Sequence, residues 1–257
     1  MPLSLDPVDH VKPYVHEGRG FKALHFSISE IQSRMALADP DALALAYTRL
    51  MMGCLLLQPA PRRMAMVGLG GGSLVKFCHR HLPQTRVEVA EVNPHVLALR
   101  QDFHIPPDDE RLVVVHADGA AFVRSLAEQV DVLMVDAFTS EGMPPRLGAQ
   151  RFYDDCHERL QPEGVLVVNL HAAHRHFDAY VGRLQRSFDD AVLVVEDGDL
   201  SNCVVFACRG HALDRSRQGV WRRPRGLDPL AAAQLSDAFA RVSRALLNRR
   251  RRARRAG

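Results

Sequence analysis

Along this chain, short apolar runs of strand length alternate with segments whose apolar residues recur every three or four positions. From Arg63 onward the alternation is regular. Apolar runs at 64–68, 86–91, 111–116, 130–136 and 163–170 predict strands. Helical spacing predicts helices between them at 73–82, 94–103, 119–128 and 148–160, and another at 174–188. Strands that are apolar on both faces, each followed by a helix, predict a parallel sheet covered on both sides. Two last runs, Ala191 to Glu196 and Cys203 to Cys208, are joined only by Asp197 to Asn202, which predicts an antiparallel hairpin. The expected fold class is α/β, a doubly wound, mostly parallel seven-stranded sheet.

Before Arg63 the pattern is weaker. Phe21 to Ile28 alternates and predicts a small β element. Asp39-Pro40-Asp41 opens a predicted helix through Leu57, with Asp39 or Asp41 as cap and Leu43, Ala46, Leu50 and Cys54 on one face. A helix at about 228–247 and a basic tail close the chain. The expected division is a small N-terminal β/α segment at 1–60, the α/β domain at 61–212, a helical segment at 213–247 and a disordered tail at 248–257.

Composition changes this picture little. The net charge of +3 hides an acidic body: residues 241–257 hold eight arginines and no acid, leaving 25 basic against 30 acidic residues elsewhere. A solvated end is expected there, with nonspecific RNA or DNA contact as the functional alternative. The longest apolar run, Leu50 to Leu57, is too short to span a bilayer, and Met1 to His10 lacks the pattern of a secretory signal. A cytoplasmic protein is expected, and the bias of arginine over lysine fits a GC-rich bacterial genome. Five cysteines without a C-x-x-C pair predict buried thiols rather than a disulfide framework or metal site. His171, His174 and His176 have no carboxylate at ligand spacing and read as a polar loop, with no metal expected.

Candidate chemistry concentrates just after the strands, where open parallel sheets bind ligands. Met66-Val67-Gly68-Leu69-Gly70-Gly71-Gly72-Ser73 is a strand-to-helix turn, in which Gly68, Gly70 and Gly72 let a ligand approach the backbone. Glu91 ends the next strand, where a carboxylate can accept bonds from both ribose hydroxyls. Asp118 and Gly119 follow the third strand; Asp118 can serve an adenine amino group or cap the next helix. Asp136 ends an otherwise apolar strand, a costly place for an acid without a task. Ionised, it can hold an ammonium and accept its proton. A dinucleotide fingerprint would want Gly or Ala at Ser73; the compact G-x-G-x-G is more similar to the first motif of the S-adenosylmethionine-binding fold. Asn169 or His171 is placed to touch a substrate, and Trp221 is expected to pack against the body.

From Gly68 to Leu170 the chain resembles the spermidine synthase (polyamine aminopropyltransferase) family. The resemblance rests on the glycine motif, Glu91-Val92-Asn93-Pro94, Asp118-Gly119, Val135-Asp136 before a Pro/Gly loop, Phe152-Tyr153, and Leu160-Gln161-Pro162-Glu163-Gly164-Val165-Leu166. Upstream, Gln32-Ser33 and Tyr47 also fit. The resemblance implies a methyltransferase-like Rossmann fold and aminopropyl transfer from decarboxylated S-adenosylmethionine to a small-molecule amine in polyamine biosynthesis. It assigns Asp136 as proton acceptor, Glu91 to the ribose, and Asp118 with Gly119 to the adenine. A homodimer is implied by analogy.

The departures fall on the amine side. Gly71 or Gly72 stands where the family has an acid that holds the aminopropyl amine. Thr139 stands where a second acid is usual, with Glu141 two residues on, and the usual Tyr-His-Glu reads Tyr47-Thr48-Arg49. Gln32, Tyr47, Thr139 and Glu141 are therefore the weaker substrate candidates. Two alternatives follow: a methyltransferase using intact S-adenosylmethionine, and a noncatalytic nucleoside-binding protein whose tail contacts nucleic acid.

Overall fold

A computed structural model describes residues 6–27, 31–137, 142–197, 202–214, 224 and 227–256. A three-stranded antiparallel sheet comes first: β1 (Tyr14–Gly18), β2 (Phe21–His25) and β3 (Ile31–Ala36). The single predicted β element corresponds to β2. The strands on either side of it are half-exposed and carry little apolar alternation. Helix α1 (Ala46–Met51) runs into a 3-10 turn, Met52–Leu56. The helix expected from Asp39 therefore starts seven residues late. Side chains hold the backbone of 43–44 instead: the distant Gln234 accepts the Leu43 N–H, and Arg49 from α1 itself donates to the carbonyls of Leu43 and Ala44.

The main sheet has seven strands in the order β6-β5-β4-β7-β8-β10-β9. They are β4 (Arg63–Val67), β5 (Arg86–Glu91), β6 (Leu112–His116), β7 (Val130–Val135), β8 (Leu160–His171), β9 (Val192–Glu196) and β10 (Asn202–Cys208). β10 lies antiparallel between β8 and β9, while β4 to β8 pair in parallel. Between them lie α2 (Ser73–His81), α3 (Pro94–Ala98), α4 (Gly119–Ser125), α5 (Gln150–Arg159) and α6 (Phe177–Ser187). The predicted helix at 94–103 stops at Ala98. Turns then carry Phe103 and Ile105 under the glycine loop, with His104 at φ 55°.

Successive strand residues feed opposite cores, as the pleat requires. Met64, Met66, Val132, Met134, Val165 and Val167 face one layer, which includes Phe77, Phe239 and Val242. Ala65, Val67, Leu133, Val135, Leu166 and Val168 face the other, with Phe122, Phe152, Tyr153 and Leu184. Each such side chain is worth about 1.5–3 kcal/mol on burial. The five cysteines are free and buried.

After α7 (Pro229–Gln234), α8 runs from Ser236 to Ala256. The arginine run is therefore helical where a disordered end was expected. Arginine is a good helix former, and Arg249 and Arg250 bond back to Asp214 and the Asp190 carbonyl. Among the described residues, no helix is long and apolar enough to cross a membrane, and no cluster of three metal-ligating side chains occurs. Trp221 lies outside the described residues.

Candidate active site

Winding reverses between β4 and β7, and a cavity of about 390 Å³ opens there beyond the carboxyl ends of the strands. The parallel ladders extend one residue past β4 and β7. Gly68 donates its N–H to Ala90 (2.8 Å), and Asp136 donates its own to Val67 (2.9 Å). This places Gly68, Glu91 and Asp136 side by side at the sheet edge. Gly68 sits at φ +99°, and any Cβ there would collide with the Asp136 carbonyl. Gly70 also lines the cavity. Gly72 does not: it is the left-handed N-cap of α2, packed against Ile105. A Cβ on Gly71 would lie 2.6 Å from Ser33 Oγ and 2.9 Å from the Phe103 ring. The space a family acid would need is therefore occupied.

Glu91 reaches back over the glycine loop. Its two oxygens accept the N–H groups of Leu69 (2.9 Å) and Asn93 (2.8 Å). Burial raises its pKa, and N–H bonds from Asn93, Leu69, Gly70 and Val92 oppose that shift. Asp118 takes the capping role that its position allowed. It caps α4 through Oδ1, which accepts the Ala121 N–H at 2.9 Å. It also lines the cavity, where its buried Oδ2 has no partner. Gly119 lines the cavity beside it, and the Val67 side chain occupies the place of a Cβ.

Asp136 is half-buried and lines the same cavity. Oδ1 accepts the side-chain amide of Asn169 at 3.0 Å, and the Tyr47 hydroxyl faces the same carboxylate. Tyr47 also reaches the Gln32 carbonyl at 3.3 Å, so a residue from α1 ties β3 to the main sheet. Burial raises the Asp136 pKa; Asn169, Tyr47 and the charge of His171 pull it down. Burial and the facing Asp136 both push the Tyr47 pKa well up. The structure thus gathers Gln32, Tyr47 and Asp136 on one wall. Thr139 and Glu141 lie outside the described residues.

Several neighbours were not legible as site residues. Asn93 donates to the Val11 carbonyl at 2.9 Å, which straps His10 and Val11 across the cavity rim. Ser33 and Ser73 line the corner beside Gly70, with hydroxyls 3.5 Å apart. Lys76 is buried behind the glycine loop and donates to the Phe103 carbonyl at 2.7 Å. Arg146 approaches Asp118 Oδ1 at 3.4 Å from the segment after β7. Asn93, Ser33 and Ser73 stand within the sequence motifs without a role of their own, whereas Lys76 and Arg146 depend on pairings 27 and 28 residues apart.

Comparison with known proteins agrees with this architecture. The family model described as spermine/spermidine synthase domain matches residues 44–191, more than half of the chain. The polyamine aminopropyltransferase of Chromobacterium violaceum is 33% identical over 196 residues, covering 76% of this chain and 75% of that protein. The eEF1A lysine and N-terminal methyltransferase of Xenopus laevis is 33% identical over 156 residues, covering 54% of this chain and 22% of that protein. The crystal structure of a probable spermidine synthase from Corynebacterium glutamicum superposes with a TM-score of 0.66 at 18% identity, covering 88% of this chain and 91% of that one. On the family match and the length of shared sequence, the chain belongs to the spermine/spermidine synthase family.

Proposed function

We propose that this protein is an aminopropyltransferase of the spermidine synthase type, moving an aminopropyl group from decarboxylated S-adenosylmethionine to a primary amine. The observation that carries the reading is Asp136, a half-buried carboxylate on the cavity wall between Tyr47 and Asn169. The cavity residues fit a nucleoside. The orphaned Oδ2 of Asp118 is an acceptor awaiting a donor such as a base amino group. Glu91, already oriented by two N–H bonds, keeps lone pairs for ribose hydroxyls. Gly68 and Gly70 keep the loop free of side chains.

The cosubstrate supplies a carbon activated by an adjacent sulfonium. Asp136 holds the acceptor amine as an ammonium and takes its proton, leaving a nitrogen lone pair. Tyr47 and Asn169 orient the carboxylate and stabilise its charged form, offsetting burial. The apolar cavity wall (Leu24, Phe26, Met66, Leu74 and Leu147) excludes water. Replacing Asp136 by Asn tests this: turnover of an amine acceptor is expected to vanish while methylthioadenosine still binds. Equal loss of both would reassign Asp136 to the nucleoside site or the core.

One observation favours a second reading, methyl transfer from intact S-adenosylmethionine to an amine. Ser33 and Phe103 fill the space beside Gly71, so that corner offers hydroxyls rather than a carboxylate for an aminopropyl ammonium. The matching Xenopus protein, named as a lysine and N-terminal methyltransferase, also acts on amines. Asp136 serves the acceptor identically in both readings.

A further inference from the structure

We infer that Arg146 is a positioning residue for nucleobase recognition: it holds Asp118 so that one carboxylate oxygen faces the cavity as an acceptor for an exocyclic amino group. The inference rests on the nucleoside reading of the cavity and adds the chemistry by which the base is chosen.

Asp118 is 5% exposed, and both of its partners converge on one oxygen. Oδ1 accepts the Ala121 N–H at 2.9 Å and lies 3.4 Å from Arg146 Nη1. Oδ2 is buried without a partner, on a residue that lines the cavity. Arg146 Nη1 is likewise buried and makes no hydrogen bond. Nη1 thus faces Oδ1, which the Ala121 N–H already occupies, while the orphaned oxygen is Oδ2. Folding leaves two such groups unsatisfied only at a cost, and helix capping alone explains neither. As a charge partner 3.4 Å away, Arg146 offsets the burial of the Asp118 carboxylate.

The placement of Arg146 also follows from the chain. Pro144, Pro145 and Leu147 line the same cavity, and Leu147 and Gly148 donate their N–H groups to the Pro144 carbonyl, closing a turn around Arg146. This turn follows Asp136 in sequence, so the segment that leaves the proton acceptor also braces the base site. An ionised carboxylate only accepts hydrogen bonds. A 6-amino purine offers it a donor; a 6-oxo purine offers another acceptor and is rejected. Without the Arg146 ion pair the Ala121 N–H alone fixes Asp118, and Oδ2 is free to turn away, which weakens the amino contact and relieves the oxo clash together.

The test is calorimetric binding of methylthioadenosine and methylthioinosine to the wild type, Arg146→Met, Arg146→Lys and Asp118→Asn, with thermal melting to verify folding. The wild type is expected to prefer the adenine ligand at least 30-fold. Arg146→Met should cut that preference tenfold or more, chiefly through the adenine ligand, and Arg146→Lys should restore it to within threefold. Asp118→Asn should lose it as well. Equal weakening of both ligands in Arg146→Met, or no change, overturns the inference and leaves the nucleoside site standing. Equal wild-type affinity for both also overturns it, whereas binding of neither removes the nucleoside reading with it.

Discussion

Asn169 donates its side-chain amide to Oδ1 of Asp136 at 3.0 Å, joining β8 to the residue just beyond β7. The bond lowers the pKa of a carboxyl that burial raises, so Asn169 tunes the pH at which Asp136 becomes a base. Ionised Asp136 is the active form, and activity should therefore rise with pH through its raised pKa. Asn169→Leu removes the opposing donor and should move the acid limb of the rate profile to higher pH. Tyr47→Phe should move it the same way. An unshifted limb in both variants would detach Asp136 from the observed titration.

Asp136→Asn should reduce turnover by about 10²–10⁴-fold, the usual contribution of a positioned general base. Methylthioadenosine affinity should stay within about threefold of wild type, and thermal stability should hold or rise because a half-buried charge is removed. Steady-state kinetics and calorimetry on the same preparation check all three.

Gly68→Ala should destabilise the protein by about 2 kcal/mol or more, because strain at φ +99° adds to a collision with the Asp136 carbonyl. Chemical denaturation measures it. An unchanged midpoint would mean that the sheet edge yields more readily than its ladder bonds indicate.

Lys76 gives a pH signature. Burial pushes its pKa down to about 8, well below the ordinary lysine value, with Asp41 opposing. Between about 8 and the ordinary value the unfolded chain binds more protons, so this group's contribution to stability rises as pH climbs through that window. Lys76→Met should abolish that part of the rise, a difference on the order of 1–3 kcal/mol between pH 7 and pH 10. Parallel stability curves for wild type and variant would contradict a buried, charged Lys76.

The sequence pattern exposes what depends on neighbours in the chain. β5 falls at 86–91 as expected, because Val87, Val89 and Ala90 form a short buried apolar set broken only by the part-exposed Glu88. Glu91, Asp118 and Asp136 stand out for the complementary reason: an acid ending such a run is conspicuous. β1 and β3 escape notice because edge strands with polar residues lack alternation. The start of α1 is displaced by Gln234 and Arg49, and the Arg146–Asp118 and Lys76–Phe103 contacts join segments 27 or more residues apart. Such pairings are created by folding and leave no periodic trace. The helical arginine run through Ala256 shows composition misread as disorder.

The most direct measurement is calorimetric binding of decarboxylated S-adenosylmethionine, intact S-adenosylmethionine and methylthioadenosine to the purified protein. Aminopropyl transfer predicts that methylthioadenosine and the decarboxylated sulfonium bind, with the decarboxylated form preferred over the intact one. Preference for intact S-adenosylmethionine would contradict aminopropyl transfer and establish the hydroxyl-lined corner beside Gly71 as the tail site of a methyl donor; binding of none would contradict the nucleoside site itself.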